Sequence, residues 1–221
     1  MYIDPLYLVT LIVCLVLGGL SSWYVKSTLK KYNKVASGTA LTGAQIATKM
    51  LSDNGIYDVQ IHEGGKGKNH FDPRHNSVTL ESAYFHGTSV SAHAVACHEV
   101  GHALQLAGGY GPFKARSAIF PIVSFASNIW FVIFIIGAVM TMNGLIDLAI
   151  ALYAVTILFQ IVTLPVEFDA SKRAMNYIKS SSVLQGNSQG AFNVLRSCAL
   201  TYVAAALVSL IQLLYLLSNR N

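Results

Sequence analysis

Four long stretches of the chain are almost entirely apolar, and polar segments separate them. The apolar stretches cover residues 5–25, 117–142, 144–165 and 198–218. Each is close to the roughly 20 residues that an α-helix needs to cross a hydrocarbon core about 30 Å thick. The pattern predicts four transmembrane helices, and Asn143-Gly144 predicts a tight hairpin between the second and the third.

Composition supports a membrane protein and sets the predicted organisation. Charged residues make up 11% of the chain and hydrophobic residues 53%, whereas about 25% of an average soluble domain is charged. The predicted fold is therefore mainly α, with an integral membrane part and a small α+β part. The predicted segments are an anchor helix at 1–25, an α+β region at 26–116, a membrane hairpin at 117–165, a polar segment at 166–197 and a last span at 198–218.

The basic residues indicate which side of the membrane the polar segments occupy. Residues 24–116 contain ten of the fifteen lysines and arginines and residues 166–197 contain four more, whereas residues 1–5 contain none. Because basic loops stay on the cytosolic side, both polar segments are predicted to be cytosolic and both termini to lie outside. This distribution accounts for the net charge of +5 without a nucleic-acid partner, and it favours anionic lipid head groups instead.

The first polar segment has the pattern of a small α+β region. Thr42 can cap a helix that runs to about Ser52. Tyr57–His62 and Asn76–Leu80 are predicted to be two short strands of a hairpin or small sheet. The second strand is a candidate edge strand that would hold an extended substrate by backbone pairing, and an ordinary hairpin strand is the alternative.

Residues 98–102 read His-Glu-Val-Gly-His, and their surroundings predict a helix from about 90 to 107. Residues four apart lie on one face of a helix, so His98 and His102 can bind one Zn²⁺ together. Glu99 projects from the neighbouring face, where it can act as a general base on a water molecule. The motif therefore predicts zinc-dependent peptide hydrolysis. The alternative is a histidine pair packed on an apolar helix face.

Other residues on and near this helix allow structural interpretations. Gly101 leaves two readings open, since it can give a substrate close access to the backbone or permit tight helix packing. Cys97 is expected to be a small buried hydrophobic residue. The other five histidines are expected in loops or at the surface: His62, His70, His75, His86 and His93.

Two histidines leave a catalytic zinc without its third protein ligand. No histidine follows His102, and the downstream acidic residues are Asp147, Glu167 and Asp169. The predicted orientation puts Asp147 on the wrong side of the membrane. Glu167 and Asp169 would point about 200° apart on a helix, so only one of them can face the metal. Glu167 is the predicted third ligand, with Asp169 as its rival.

Three residues close to Glu167 are candidates for supporting roles. Asp169 could accept a hydrogen bond that orients a zinc histidine, or be an ordinary surface charge. Arg173 and Tyr177 could stabilise the oxyanion that forms during amide hydrolysis. The alternative is that they bind lipid head groups or pack at the membrane interface.

Five short segments spread over the whole chain match a known family. They are LTGAQIA at 41–47, HFDPR at 70–74, HEVGHALQ at 98–105, LPVEFDASKRA at 164–174 and ALTYVAAAL at 199–207. Through them the chain resembles the neutral zinc metallopeptidases of bacterial membranes, the YugP-like family. The resemblance implies a zinc peptidase with His98, His102 and Glu167 as ligands and Glu99 as catalytic residue. HtpX-type and CAAX prenyl endopeptidases are more distantly similar, but Ser171 stands where their ExxAD pattern has its Asp.

Together these features predict a membrane-embedded zinc metalloendopeptidase that uses one Zn²⁺ per chain. Its expected substrates are membrane-associated proteins or peptides, cleaved at or near the cytosolic face of the bacterial inner membrane. The alternative is a catalytically silent, zinc-stabilised scaffold or assembly partner. Such a scaffold would keep the three zinc ligands but would function equally well after Glu99→Gln.

Overall fold

The computed structural model describes residues 5–181, 183, 184 and 186–218, and most of them are helical. In chain order the elements are α1 (Pro5–Tyr32), α2 (Gly43–Asp53), β1 (Gln60–Gly64), β2 (His70–Asp72), β3 (Ser77–Glu81), α3 (Ser82–Phe85), α4 (Val90–Ala107), α5 (Gly111–Val139), α6 (Asn143–Ser181) and α7 (Ser188–Ser218). Within these residues, α1, α5, α6 and α7 are long and apolar enough to cross a membrane. The predicted mainly α fold with four such helices and a small sheet is confirmed. Residues 1–4, which open the predicted anchor, lie outside the described residues.

The chain divides into two compact units. The helical unit comprises Met1–Ser22, Ala115–Leu164 and Thr201–Asn221. The mixed unit comprises Trp23–Lys114 and Pro165–Leu200. Helix α6 contributes to both units, because its residues up to Leu164 belong to the helical unit and its residues from Pro165 belong to the mixed unit.

Polar side chains inside the helical unit are hydrogen-bonded between α6 and α7. The Tyr153 hydroxyl donates to Gln212 Oε1 at 2.7 Å. Gln160 Nε2 donates to Ser209 Oγ at 3.1 Å. The Trp130 ring of α5 lies 4.4 Å from the Tyr153 ring, measured between centroids. These contacts satisfy polar groups that lipid tails could not, so they stabilise the association of the helices.

Helix α2 of the mixed unit begins with a capping box. Thr42 Oγ1 accepts from the backbone N–H of Gln45 at 3.3 Å, and Gln45 Oε1 accepts from the backbone N–H of Thr42 at 2.8 Å. The helix therefore starts where the sequence predicts. Its apolar face, made of Ile46, Ala47 and Met50, is fully buried, and α2 packs against α4.

The mixed unit contains a three-stranded sheet in the order β1-β3-β2. β1 runs parallel to β3, whereas β2 runs antiparallel to it and pairs Phe71 with Val78. The sequence does not predict β2, because a segment of three residues is too short to show a recognisable alternation of apolar and polar positions. The prediction of an edge strand at Asn76–Leu80 is wrong, since β3 has a partner on each side. The free edges of this sheet belong to β1 and β2.

Helix α4, which carries the His-Glu-Val-Gly-His motif, packs against α2, α3, β2 and β3. Ser89 Oγ caps its start by accepting from the backbone N–H of Ala92 at 3.1 Å. Gly109, with φ of +65°, turns the chain just after its end. Cys97 is fully buried, as expected, and burial raises the pKa of its thiol to about 12.

One expectation about the histidines is wrong. His62, His70, His75 and His86 are exposed, as expected, whereas His93 is fully buried. His93 Nε2–H donates to the Leu41 carbonyl at 2.8 Å, and its Nδ1 has no hydrogen-bond partner within the described part of the chain. Burial lowers the pKa of His93. The expectation fails because neighbouring elements cover α4 on nearly every face, which the periodicity of one helix cannot reveal.

Candidate metal centre

The three predicted zinc ligands lie together in the mixed unit. His98 and His102 are one turn apart on α4, and Glu167 belongs to α6. Glu167 Oε2 lies 3.1 Å from His98 Nε2 and 3.6 Å from His102 Nε2. The potential ligand atoms of all three residues lie within 4.8 Å of one another. Glu167 is only 2% exposed, so the cluster is enclosed by protein.

The spacing of these atoms fits a tetrahedral zinc site. Zinc binds histidine nitrogen and carboxylate oxygen at about 2.1 Å, and tetrahedral ligands at that distance are about 3.4 Å apart. The observed separations of 3.1 Å and 3.6 Å lie on either side of this value. Two imidazoles and one carboxylate are also the ligand set of a known class of catalytic zinc sites, which keep a fourth position open. His98, His102 and Glu167 are therefore suited to hold zinc.

A close contact between α4 and α6 brings the ligands together. A Cβ atom at Gly101 would lie 2.6 Å from the Ala170 carbonyl oxygen and 3.1 Å from Ala170 Cα. Only glycine permits this approach without a shift of the backbone. Of the two readings of Gly101, tight helix packing is the one that the structure supports. Ala170 follows Glu167 by three residues on α6, so the contact sets how closely Glu167 approaches the histidines.

Each ligand histidine has its other ring nitrogen hydrogen-bonded. His102 Nδ1 lies 3.0 Å from Gln105 Oε1, and His98 Nδ1 lies 3.2 Å from Ser171 Oγ. Gln105 Oε1 can only accept, so His102 Nδ1–H donates to it and His102 Nε2 keeps the lone pair that metal binding requires. The Ser171 hydroxyl can accept from His98 Nδ1–H, which would leave His98 Nε2 the same lone pair. Both oxygen partners are uncharged side chains. Ser171, the hydrogen-bond partner of His98, occupies the position where the ExxAD pattern has its Asp.

Asp169 is linked to the candidate ligand His102 through the side chain of Gln105. Gln105 Nε2 donates to Asp169 Oδ2 at 2.9 Å and to the Val166 carbonyl at 2.7 Å. Arg173 Nε donates to the same Asp169 oxygen at 2.6 Å, and the guanidinium lies 5.8 Å from the centre of the Tyr110 ring. Asp169 therefore reaches His102 through Gln105 and makes no direct contact with a ligand histidine among the hydrogen bonds described.

The two candidates for oxyanion stabilisation have other partners. The Tyr177 hydroxyl donates to Asp53 Oδ2 at 2.8 Å, which links α6 to the end of α2. Burial, together with this hydrogen bond to Asp53, raises the pKa of Tyr177. Arg173 is paired with Asp169. Since both side chains have structural contacts of their own, the mechanism proposed below uses neither.

Glu99 and Glu167 are both buried, but only Glu167 belongs to the ligand cluster. Glu99 follows His98 on α4, so its side chain leaves the helix about 100° further round. Burial alone would raise the pKa of the Glu167 carboxyl, but the adjacent His102 and His98 rings outweigh burial and hold the pKa below its ordinary value. Glu167 is therefore in the carboxylate form that zinc binding needs.

Aromatic side chains of the mixed unit lie beside the ligand histidines. The Phe113 ring is 6.2 Å from the His102 ring, and the Phe71 ring of β2 is 6.3 Å from the Phe113 ring. Both phenylalanines are buried. An apolar wall of this kind lowers the local dielectric constant and strengthens electrostatic interactions at the site.

Gln105 and Ser171 are the site residues that sequence reasoning did not assign. For each of them, its spacing from a candidate ligand on the same helix could have indicated a place in the site. Gln105 follows His102 by three residues on α4, and Ser171 follows Glu167 by four on α6, so each shares a helix face with a ligand. That spacing alone could not show which residue on the other helix they contact.

Comparison with known proteins identifies the family. A family model described as "Putative neutral zinc metallopeptidase" matches residues 7–221. The chain therefore belongs to this family, which confirms the resemblance drawn from the sequence motifs. The chain is also 45% identical over 201 residues to the Bacillus subtilis (strain 168) protein named "Putative membrane protease YugP", with 89% of each chain covered. This similarity and the four apolar helices make the chain a membrane protein. No solved structure shows a significant match.

Proposed function

We propose that this protein is a zinc metalloendopeptidase that hydrolyses peptide bonds in membrane-associated protein substrates. The observation that carries the proposal is the enclosed cluster of His98, His102 and Glu167, with the Glu99 carboxyl on the same helix but outside the cluster. Three protein ligands leave one coordination position for water or substrate, as hydrolytic zinc sites require. One zinc ion per chain completes the site.

Each residue of the site would have its own role in the reaction, either in binding the metal or in transferring a proton. His98 and His102 hold the metal through Nε2, and Glu167 holds it through a carboxylate oxygen. When bound, zinc supplies a Lewis acid that polarises the scissile carbonyl and acidifies a water molecule. Glu99 takes a proton from the attacking water and passes it to the leaving nitrogen. One C–O bond forms and the C–N bond breaks, which leaves a carboxylic acid and an amine.

The site is proposed to face the cytosol in a bacterial inner membrane, with both termini outside. Support comes from the distribution of lysine and arginine, which are concentrated in the two long polar segments of the sequence. The lipid bilayer is the expected partner of the apolar helices, and the basic residues at their ends suit anionic head groups. No role for nucleic acid is proposed.

Two glutamate variants test the function. Glu99→Gln keeps the three ligands but cannot accept a proton, so zinc content should be retained while hydrolysis falls about 10²- to 10⁴-fold. Glu167→Gln exchanges a carboxylate ligand for a weakly binding amide, so both zinc affinity and hydrolysis should fall, and excess zinc should restore part of the activity. Zinc content and cleavage of a misfolded membrane protein are measured on the purified full chain after equal dialysis.

Glu63→Gln is the matched control, because Glu63 is an exposed glutamate that pairs with His86 in the same unit. It should keep the zinc content and the rate of the parent. Function that survives Glu99→Gln without loss would overturn the peptidase and favour the zinc-stabilised scaffold or assembly partner. Tight zinc binding by Glu167→Gln would remove Glu167 from the ligand set, and Asp169→Asn would then be the variant to compare.

A further inference from the structure

We propose that Gln105 is a positioning residue that couples two zinc ligands carried by different helices. This inference rests on the proposed zinc function. Gln105 is fully buried and lies one turn after His102 on α4. Its side-chain amide contacts the His102 ring at one end and α6, beside Glu167, at the other.

The contacts of the Gln105 amide fix its orientation. Gln105 Oε1 accepts from His102 Nδ1–H at 3.0 Å. The NH₂ group of Gln105 donates to the Val166 carbonyl at 2.7 Å and to Asp169 Oδ2 at 2.9 Å. A reversed amide would bring its oxygen against two acceptors, with no hydrogen between them. The acceptors on α6 therefore orient the amide, and the amide in turn holds His102 in the tautomer that presents Nε2 to the metal.

The same amide holds the backbone of α6 directly before Glu167. Pro165 lies inside α6 and has no backbone N–H, which weakens the helix at this point. Gln105 binds the carbonyl of Val166, and the Tyr110 hydroxyl lies 3.5 Å from the carbonyl oxygen of Pro165. Gln105 of α4 and Tyr110 in the turn after α4 thus contact the two carbonyls that precede Glu167. A shift of Gln105 would move His102 and Glu167 together.

Asp169 completes the arrangement through Gln105 and Arg173. Its Oδ2 receives the Gln105 amide and, at 2.6 Å, Arg173 Nε. Arg173 therefore balances the charge of the carboxylate, and His102 donates to a neutral amide. Many zinc histidines donate directly to a carboxylate, so the neutral residue placed between His102 and Asp169 distinguishes this site.

Zinc affinity of the full chain in detergent, measured by competition with a chelator, tests the proposal. Gln105→Met keeps the length of the side chain and removes its hydrogen bonds to His102, Val166 and Asp169, so zinc should bind about 10- to 100-fold more weakly. Gln105→Glu keeps the acceptor for His102 but sets a carboxylate against Asp169 and loses the donor to Val166. It should also bind zinc more weakly than the parent.

A double variant separates coupling from a general packing defect. In Gln105→Glu combined with Asp169→Asn, the new amide at position 169 can donate to the new carboxylate at position 105. This exchange of donor and acceptor should make zinc binding clearly tighter than in Gln105→Glu alone. A packing defect would not be repaired in this way, so failure of the double variant to tighten zinc binding would overturn the coupling.

Gln45→Met is the matched control, because Gln45 is a glutamine of the same unit that caps α2. It should lower the melting temperature without changing zinc affinity. If Gln105→Met binds zinc as tightly as the parent, the role of Gln105 is refuted, while loss of zinc in Glu167→Gln would still support the metal site. If Gln105→Met does not fold, Gln105→Glu and the double variant decide the question.

Discussion

Replacing Gly101 by alanine adds one methyl group at the contact between the two helices that carry the proposed zinc ligands. The new Cβ would lie 2.6 Å from the Ala170 carbonyl oxygen. An ordinary contact between carbon and oxygen is about 3.4 Å, so the two helices would have to separate by about 0.8 Å. The obstacle is backbone and cannot rotate away as a side chain could.

Two energies of opposite sign decide the effect of Gly101→Ala on stability. Alanine favours a helix over glycine by about 1 kcal/mol. Overpacking a tight contact costs typically about 1 to 3 kcal/mol. Because the clash at Ala170 involves backbone, we expect the upper part of that range and a net destabilisation of about 1 to 2 kcal/mol.

The same separation would act on the metal site. Glu167 precedes Ala170 by three residues, so a shift of 0.8 Å in α6 would lengthen the 3.1 Å separation between Glu167 Oε2 and His98 Nε2 to about 3.9 Å. Tetrahedral zinc ligands are about 3.4 Å apart, so zinc affinity should fall by about tenfold or more.

Melting temperature and zinc affinity of Gly101→Ala, compared with the parent, test this reasoning. Gly18→Ala is the control, because Gly18 also lies within a helix but has nothing within 4 Å of an added Cβ. Because no clash offsets the helix preference of alanine, Gly18→Ala should not lower the melting temperature, and it should leave zinc affinity at the parental value. If Gly101→Ala kept the melting temperature and the zinc affinity of the parent, the close packing at Ala170 could not be what sets the ligand geometry.

Two further predictions concern stability and orientation. Because burial lowers the pKa of His93 below its ordinary 6.5, the unfolded state binds more protons, and stability should fall as the pH drops through about 6.5. Melting temperatures between about pH 8 and 5 should fall less in His93→Gln, and equal slopes would contradict this account. A membrane-impermeant thiol reagent on intact cells should label Asn143→Cys and spare Gly65→Cys, and the opposite labelling would reverse the proposed orientation.

The sequence by itself determined the features that depend on local pattern. Apolar runs of about 20 residues identify helices that can span a membrane, because length and hydropathy are enough. His98 and His102 are four residues apart, so their imidazoles share one face of the helix. This holds wherever the helix packs, because the geometry of an α-helix is always the same. Glu167 could be predicted by elimination, since few carboxylates follow the motif.

Only the tertiary structure decided the features that depend on contacts between distant segments. β3 is the central strand because β1 and β2 pair with it from both sides, and no periodicity within one strand encodes its neighbours. His93 is buried because other elements cover α4. Gly101 and Gln105 acquire their roles from residues of α6 that lie more than sixty positions further along the chain. A helix pattern determines which side chains share a face, but what that face meets depends on how the whole chain packs.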